Sequence, residues 1–145
     1  RKYNTPSSNY TITNEKSQSF SFIFIQAIKN AIDTLLLILG TLTSFLIVSS
    51  LIIQALHLSA YPGMILKGIL EMTMGIKELS LFPIPDIYKI VITTMFLSFG
   101  GLSVHLQVLS QIVDTDISYL PFFWARVIHA LLSGIIVYLL YLMVF

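Results

Sequence analysis

The sequence predicts an all-α integral membrane protein: three transmembrane helices plus a re-entrant or interfacial helical segment. Three observations carry this. Charged residues make up 10% of the 145, against about 25% in soluble domains, too few to cover a water-facing surface. Asp33 and Lys67 bracket a stretch without a formal charge, and a helix needs about 20 mostly apolar residues to cross a hydrocarbon core of about 30 Å. Residues 127–145 carry no formal charge either, and mean hydropathy is +0.87.

The same composition excludes several classes. A net charge of +1 gives no basic surface for nucleic acid. With no cysteine there are no disulfides, thiolate nucleophiles or Cys-based metal sites. No cleavable signal peptide is visible, because residues 1–19 are polar and lack an apolar core. The chain opens on Arg1 rather than Met, and reads as a fragment or processed product. So few membrane segments make a small assembly for solute transport, so further or partner helices are expected.

Residues 1–19 are rich in Ser, Thr and Asn and read as a flexible polar lead or loop. In residues 20–33, Phe20, Ile23, Phe24, Ala27, Ile28 and Ala31 recur at helical spacing, with Gln26, Lys29, Asn30 and Asp33 largely opposite. That pattern predicts an amphipathic helix in the interface; the alternative is the wet first turns of the next span. Residues 34–57 form the first clear span. Thr43, Ser50, Gln54 and His57 share a face there, expected to turn toward other helices or a cavity, although Ser and Thr can also satisfy themselves on backbone carbonyls.

"LSAYPG" (residues 58–63) reads as a turn. Residues 64–81 are apolar but hold Lys67, Glu71, Lys77 and Glu78, and a continuous helix puts Lys67, Glu71, Gly75 and Glu78 on one face. Four charges in a lipid-bathed span are costly, so the segment is either interfacial or re-entrant against protein or water. "FPIPD" (residues 82–86) is a second break, since each proline disfavours helix before it, and Asp86 is placed to cap the next helix. Residues 87–113 are the second span, broken midway. The third occupies residues 120–145, with Tyr119, Phe122, Phe123 and Trp124 at its start as an aromatic belt. Loop charges leave the orientation open.

The most informative stretch is "FGGLSVHLQ" (residues 99–107). Tandem glycines destabilise a helix by about 1 kcal/mol each relative to Ala, so Gly100 and Gly101 mark either a point of unwinding or a very close helix contact. Unwinding frees backbone groups that must find partners in the membrane, and broken helices of this kind build solute sites in secondary transporters. Beyond them Ser103, Gln107, Gln111 and Asp114 share a face, with His105 directed elsewhere, toward the re-entrant segment. The competing reading makes the glycines a packing device and Ser103 and Gln107 interhelical hydrogen-bonders. Glu71, followed by Thr73 and Gly75, is a carboxylate in an apolar setting. It suits proton coupling, or else pairs with Lys67 four residues earlier. Arg126, His129 and Ser133 share a face of the last span; Arg126 snorkels to the interface or pairs with Asp114 or Asp116. His129 reads as a neutral, hydrogen-bonded side chain or a group that titrates near neutrality.

No nucleophile–base constellation, phosphate loop or metal-ligand spacing is present, and the histidines are scattered, so the sequence is not read as an enzyme and calls for no cofactor or metal.

"ILEMTMGIKELS" (residues 69–80), "FGGLSVHLQVLSQI" (residues 99–112) and "ARVIHALLS" (residues 125–133) together resemble the C-terminal half of the YlbJ/SpoVV-type sporulation integral membrane proteins, of the nucleoside-recognition or Gate domain group. The resemblance extends over nearly all of residues 20–145, and "FGGLSVHLQ" is its most specific part. It implies half of a fold like that of concentrative nucleoside transporters, with paired re-entrant hairpins and broken helices meeting at mid-membrane. It implies an endospore-forming bacterium and movement of dipicolinic acid, a small anionic solute, across the outer forespore membrane. Glu71, Thr73, Gly75, Gly100, Gly101, Ser103, His105 and Gln107 would then form half of a substrate-binding site. Family members carry an N-terminal half that this chain lacks. A missing half or a second chain, along with the lipid bilayer, is therefore expected as a partner. The rival readings are a membrane scaffold for spore-envelope maturation, and a Gate-type transporter of a nucleoside or ion.

Overall fold

A computed structural model describes residues 19–144; the expected polar lead lies outside them but for Ser19. Six helices follow one another: α1 (Phe20–Ala55), α2 (Ala60–Leu70), α3 (Met72–Leu81), α4 (Asp86–Phe99), α5 (Gly101–Ile112) and α6 (Leu120–Val144). No strand occurs among the described residues. Among the described residues three segments are long and apolar enough to cross a membrane: α1, α4 with α5, and α6. The chain is an all-α integral membrane protein.

The chain divides into two compact units, the first ending at Thr34 and the second running from Leu35. In the first, α1 closes its polar groups on itself. Gln26 Nε2 donates to Asn30 Oδ1 at 3.1 Å, and Thr34 Oγ1 to the Asn30 carbonyl at 2.8 Å. The Phe20 and Phe24 rings stack on the neighbouring face. The sequence reading separates an interfacial helix (20–33) from a span (34–57), but α1 is one helix through that boundary. No glycine or proline interrupts it there, and Thr34 bonds back into the preceding turn instead of capping a new helix.

In the second unit α2 and α3 fold back on each other as a hairpin. The Tyr61 and Phe82 rings lie 4.7 Å apart at its open end, Lys67 pairs with Glu78 part-way along, and Gly68 touches Gly75 near its tip. A Cβ built on Gly75 would fall 2.2 Å from the Gly68 Cα, and one on Gly68 would fall 2.1 Å from the Phe96 ring. Only glycine permits that three-way approach of α2, α3 and α4. With 11 and 10 residues, the two arms each reach about 15 Å, half a hydrocarbon core. Neither arm is long enough to cross by itself. The expected single helix over 64–81 is therefore two helices, and the shared face through Lys67, Glu71, Gly75 and Glu78 does not exist. The turn expected at 58–63 is also shorter: Pro62 and Gly63 belong to the first turn of α2, where proline is tolerated.

Met64, Leu79 and Phe96 form the buried core of this unit, joined by Met72, Ile76, Phe82, Ile84 and Ile92. α6 packs on α4 through small residues. Ala130 is buried, and a Cβ on Gly134 would fall 2.8 Å from Met95 Cγ. Close approach over small side chains is how helices associate in lipid, where hydrophobic burial supplies no drive. Most large apolar side chains of α6, such as Leu139 and Leu142, stay exposed for lipid.

On α1 the inward residues are Thr41 and Ser49. Thr43, Ser50, Gln54 and His57 are exposed, contrary to the face expected for them. Thr43 and Ser50 satisfy their hydroxyls on the carbonyls of Leu39 and Leu46, so no interhelical partner is needed. Asp86 is the first helical residue of α4, one position inside the cap, and lies 3.8 Å from Lys89.

Candidate functional site

Two interruptions of helix meet inside the second unit. The first is the hairpin tip. Glu71 is extended (φ −145°, ψ 109°) between α2 and α3, and its residue is 2% exposed. It is not mid-helix, as the sequence reading had it, but the N-cap of α3. Its carboxylate accepts from the Thr73 amide at 3.2 Å, the Met74 amide at 2.9 Å and the Thr73 hydroxyl at 2.5 Å. Every contact is a donor at a helix N-terminus, the arrangement that favours a carboxylate there. Lys67, the alternative partner for Glu71, goes to Glu78 across the hairpin.

The second interruption is the double glycine. Gly100 (φ 90°) and Gly101 (φ 71°) both lie in the left-handed region, which a side chain rarely adopts, and the chain unwinds between α4 and α5. The chain both unwinds and packs closely at the glycines. A Cβ on Gly101 would fall 3.1 Å from the Met72 amide nitrogen, 3.3 Å from the Leu70 carbonyl oxygen and 3.4 Å from the Glu71 Cα. The break in one helix is thus seated on the break in the hairpin, backbone against backbone.

The freed Phe99 carbonyl finds two donors. His105 Nε2 and Arg126 Nε each reach it at 3.2 Å. Since a carbonyl only accepts, Nε2 carries the imidazole proton, and neutral His105 takes the Tyr119 hydroxyl on Nδ1 at 2.6 Å. Burial raises the Tyr119 phenol above its ordinary pKa, so it stays a protonated donor. The His105 ring lies against Phe99, Phe122 and Phe123. It therefore points at the start of α6, not at the hairpin as expected. Arg126 likewise neither reaches Asp114 or Asp116 nor snorkels free; its guanidinium sits at the break, 6.0 Å from the Phe122 ring centroid.

The remaining expected site residues separate. Thr73 is at the tip, bonded to Glu71. Gly75 packs on Gly68 and Phe96 and is structural. Gln107 reaches across to Thr41 Oγ1 at 3.0 Å, an interhelical bond. Ser103, in the first turn of α5, is 0% exposed, and its hydroxyl has no partner among the described residues. His129 is exposed on α6, and Ser133 bonds the Ala130 carbonyl. Arg126 and Tyr119, read from the sequence as an interfacial or ion-paired arginine and an aromatic-belt residue, join the break instead, and Thr41 is the residue sequence reasoning missed. A broken helix demands a donor for its last carbonyl, and that demand points to Arg126 and His105 once the break is placed.

A cavity of about 400 Å³ lies between α2, α4 and α6, lined by Ile69, Ile92, Met95, Phe99, Phe123 and Val127 among others. Its walls are apolar and offer nothing to a charged solute. The Glu71, Phe99, His105 and Arg126 contacts lie at the two breaks instead.

Among curated proteins, the chain is 35% identical over 77 residues to the sporulation integral membrane protein YlbJ of Bacillus subtilis (strain 168). The chain is a relative of YlbJ. The match takes in 53% of this chain and 19% of YlbJ, so YlbJ extends far beyond the stretch compared. No family profile matches the chain, and no solved structure does. The YlbJ relationship and the apolar helices agree on a membrane location.

Proposed function

We propose that the chain serves sporulation as part of a membrane transporter for a small anionic solute, dipicolinic acid, at the outer forespore membrane. The observation that carries this reading is the contact between two helix interruptions, Glu71 on a re-entrant hairpin and Gly100–Gly101 on a spanning helix. Interrupted helices present amide dipoles at membrane depth, and such N-termini favour carboxylates. The likeness to the sporulation integral membrane protein YlbJ supports sporulation and the membrane, and the half-bilayer hairpin supports a Gate-type arrangement like that of concentrative nucleoside transporters. Half of such an arrangement needs a counterpart, from a longer chain or a second copy. The chain does no covalent chemistry on this reading and needs no cofactor.

The test is dipicolinate content of spores whose full-length protein carries Gly101→Ala or Glu71→Gln, with membrane levels of the protein measured in parallel. Dipicolinate falls in both while protein levels hold. Normal dipicolinate in both would sink the reading.

One observation favours a second reading, a scaffold in spore-envelope maturation. Glu71, Gln107 and Lys67 all end on partners within the chain, as residues serving only helix packing would. A scaffold keeps its function when Ser103 loses its hydroxyl, because that hydroxyl holds nothing; a transporter does not.

A further inference from the structure

Two helices, α3 and α5, begin at the paired breaks, and only one of their N-termini has an anion of its own. At α3 the cap is Glu71, whose carboxylate takes two first-turn amides and the hydroxyl of Thr73. At α5 the cap is Gly100, and no side chain caps the helix. The first turn of α5 also carries a hydroxyl, that of Ser103. Side chains on a helix tilt toward its N-terminus, so this hydroxyl leans back over the first turn, wholly buried and bonded to nothing. A buried hydroxyl without a partner is unfavourable and rare. Beside the Gly100 cap, a Cβ on the glycine would lie 2.8 Å from Arg126 Nη2 and 3.4 Å from the Val104 Cβ. Arg126 lends Nε to the Phe99 carbonyl, but none of the ion pairs among the described residues includes it. A guanidinium carried on a membrane span without a counter-ion is costly.

The α5 start therefore matches the α3 start, with the carboxylate removed and an arginine added. We infer that the first turn of α5, the Ser103 hydroxyl and the Arg126 terminal amino groups bind a carboxylate of the transported solute, in the role that the Glu71 side chain fills at α3. Gly100 lets the Arg126 guanidinium come this close to the start of α5, since a Cβ there would lie 2.8 Å from Nη2. Arg126 is then the residue that selects for an anion, and Glu71 is a fixed part of the wall. This rests on the solute-transport reading, and it identifies the part of the paired breaks that touches the solute.

The experiment is equilibrium binding of labelled dipicolinate and of inorganic phosphate to the full-length protein in lipid nanodiscs, with the thermal midpoint of the unliganded protein as control. Ser103→Ala lowers dipicolinate affinity about tenfold, the effect of one hydrogen bond to a charged group, with no fall in the unliganded midpoint, since the hydroxyl holds no bond to lose. Arg126→Gln lowers affinity further, and Arg126→Lys recovers part of it because charge returns without the fork. Dipicolinate binding unchanged in both Ser103→Ala and Arg126→Gln overturns the site while leaving the transport reading intact. Phosphate binding that depends on Arg126, with no dipicolinate binding, upholds the anion site and overturns dipicolinate as the solute. Binding of neither anion overturns the site.

Discussion

Gly101 rests on the backbone of Met72: a Cβ added to the glycine would lie 3.1 Å from the Met72 amide nitrogen. This contact joins the break between α4 and α5 to the tip of the α2–α3 hairpin, where both lose helical geometry. The left-handed φ of 71° at Gly101 and the extended conformation of Glu71 are what bring the two backbones together.

Gly101→Ala combines a strained φ, about 1–2 kcal/mol for a non-glycine residue, with a contact against backbone that cannot move aside. A loss of about 2 kcal/mol or more is expected, read as a drop in thermal midpoint of the purified protein. An unchanged midpoint would show that the two breaks are not held together by this contact.

Gly68 and Gly75 give a sharper test because their clashes differ in kind. A Cβ on Gly68 meets the Phe96 ring, whereas one on Gly75 meets the Gly68 backbone. Both Gly→Ala changes destabilise, by about 1–3 kcal/mol. Phe96→Leu partly rescues Gly68→Ala and does nothing for Gly75→Ala. A double-mutant cycle on stability measures the coupling, and equal rescue of both would contradict the hairpin packing.

Glu71→Ala removes the α3 cap and leaves the Thr73 hydroxyl without its partner. Capping losses run at about 0.5–2 kcal/mol, and burial places this one at the upper end. Glu71→Gln keeps one acceptor oxygen and loses less. Hydrogen exchange at the Thr73 and Met74 amides reports the cap directly: protection falls in Glu71→Ala and partly persists in Glu71→Gln.

The pair Lys67–Glu78 ties the hairpin arms. Lys67→Met alone leaves Glu78 without its partner in an apolar segment, and Glu78→Gln does the converse. The reversed double variant, Lys67→Glu with Glu78→Lys, restores stability to within about 1 kcal/mol of the original. Failure of the swap alongside mild single variants would mean the pair is held for geometry rather than charge.

Tyr119→Phe removes the donor to His105 Nδ1 and costs about 1 kcal/mol. The phenol pKa is raised by desolvation in the folded protein, so its share of stability is complete below the ordinary tyrosine pKa of about 10. That share is lost as pH rises through the higher folded value. The gap between Tyr119→Phe and the unaltered protein therefore narrows only in strongly alkaline solution, as a pH series of thermal midpoints will record.

Much of the architecture was legible because its causes are local. Apolar run length decides which segments span, Pro83 and Pro85 end α3 and start α4, and tandem glycines break a spanning helix. A polar carboxylate in an apolar segment marked Glu71 as unusual. What was misread depends on distant partners. Glu71 was placed on a helix face because periodicity continues through it, yet the hairpin folds at that residue once Gly68, Gly75 and Phe96 pack together. Thr43 and Ser50 looked inward by spacing, but hydroxyls bonded to their own turn carry no directional demand.

The sequence by itself determined a membrane-embedded helical chain, its breaks at the Pro83–Pro85 and Gly100–Gly101 pairs and the residues rich in chemistry, since these follow from hydropathy, proline and glycine. Only the tertiary structure decided that the two breaks meet, that Glu71 closes one helix start, and that Arg126 reaches the other. Those outcomes hang on which backbones can approach within van der Waals distance. That is a property of three packed helices and not of any one segment.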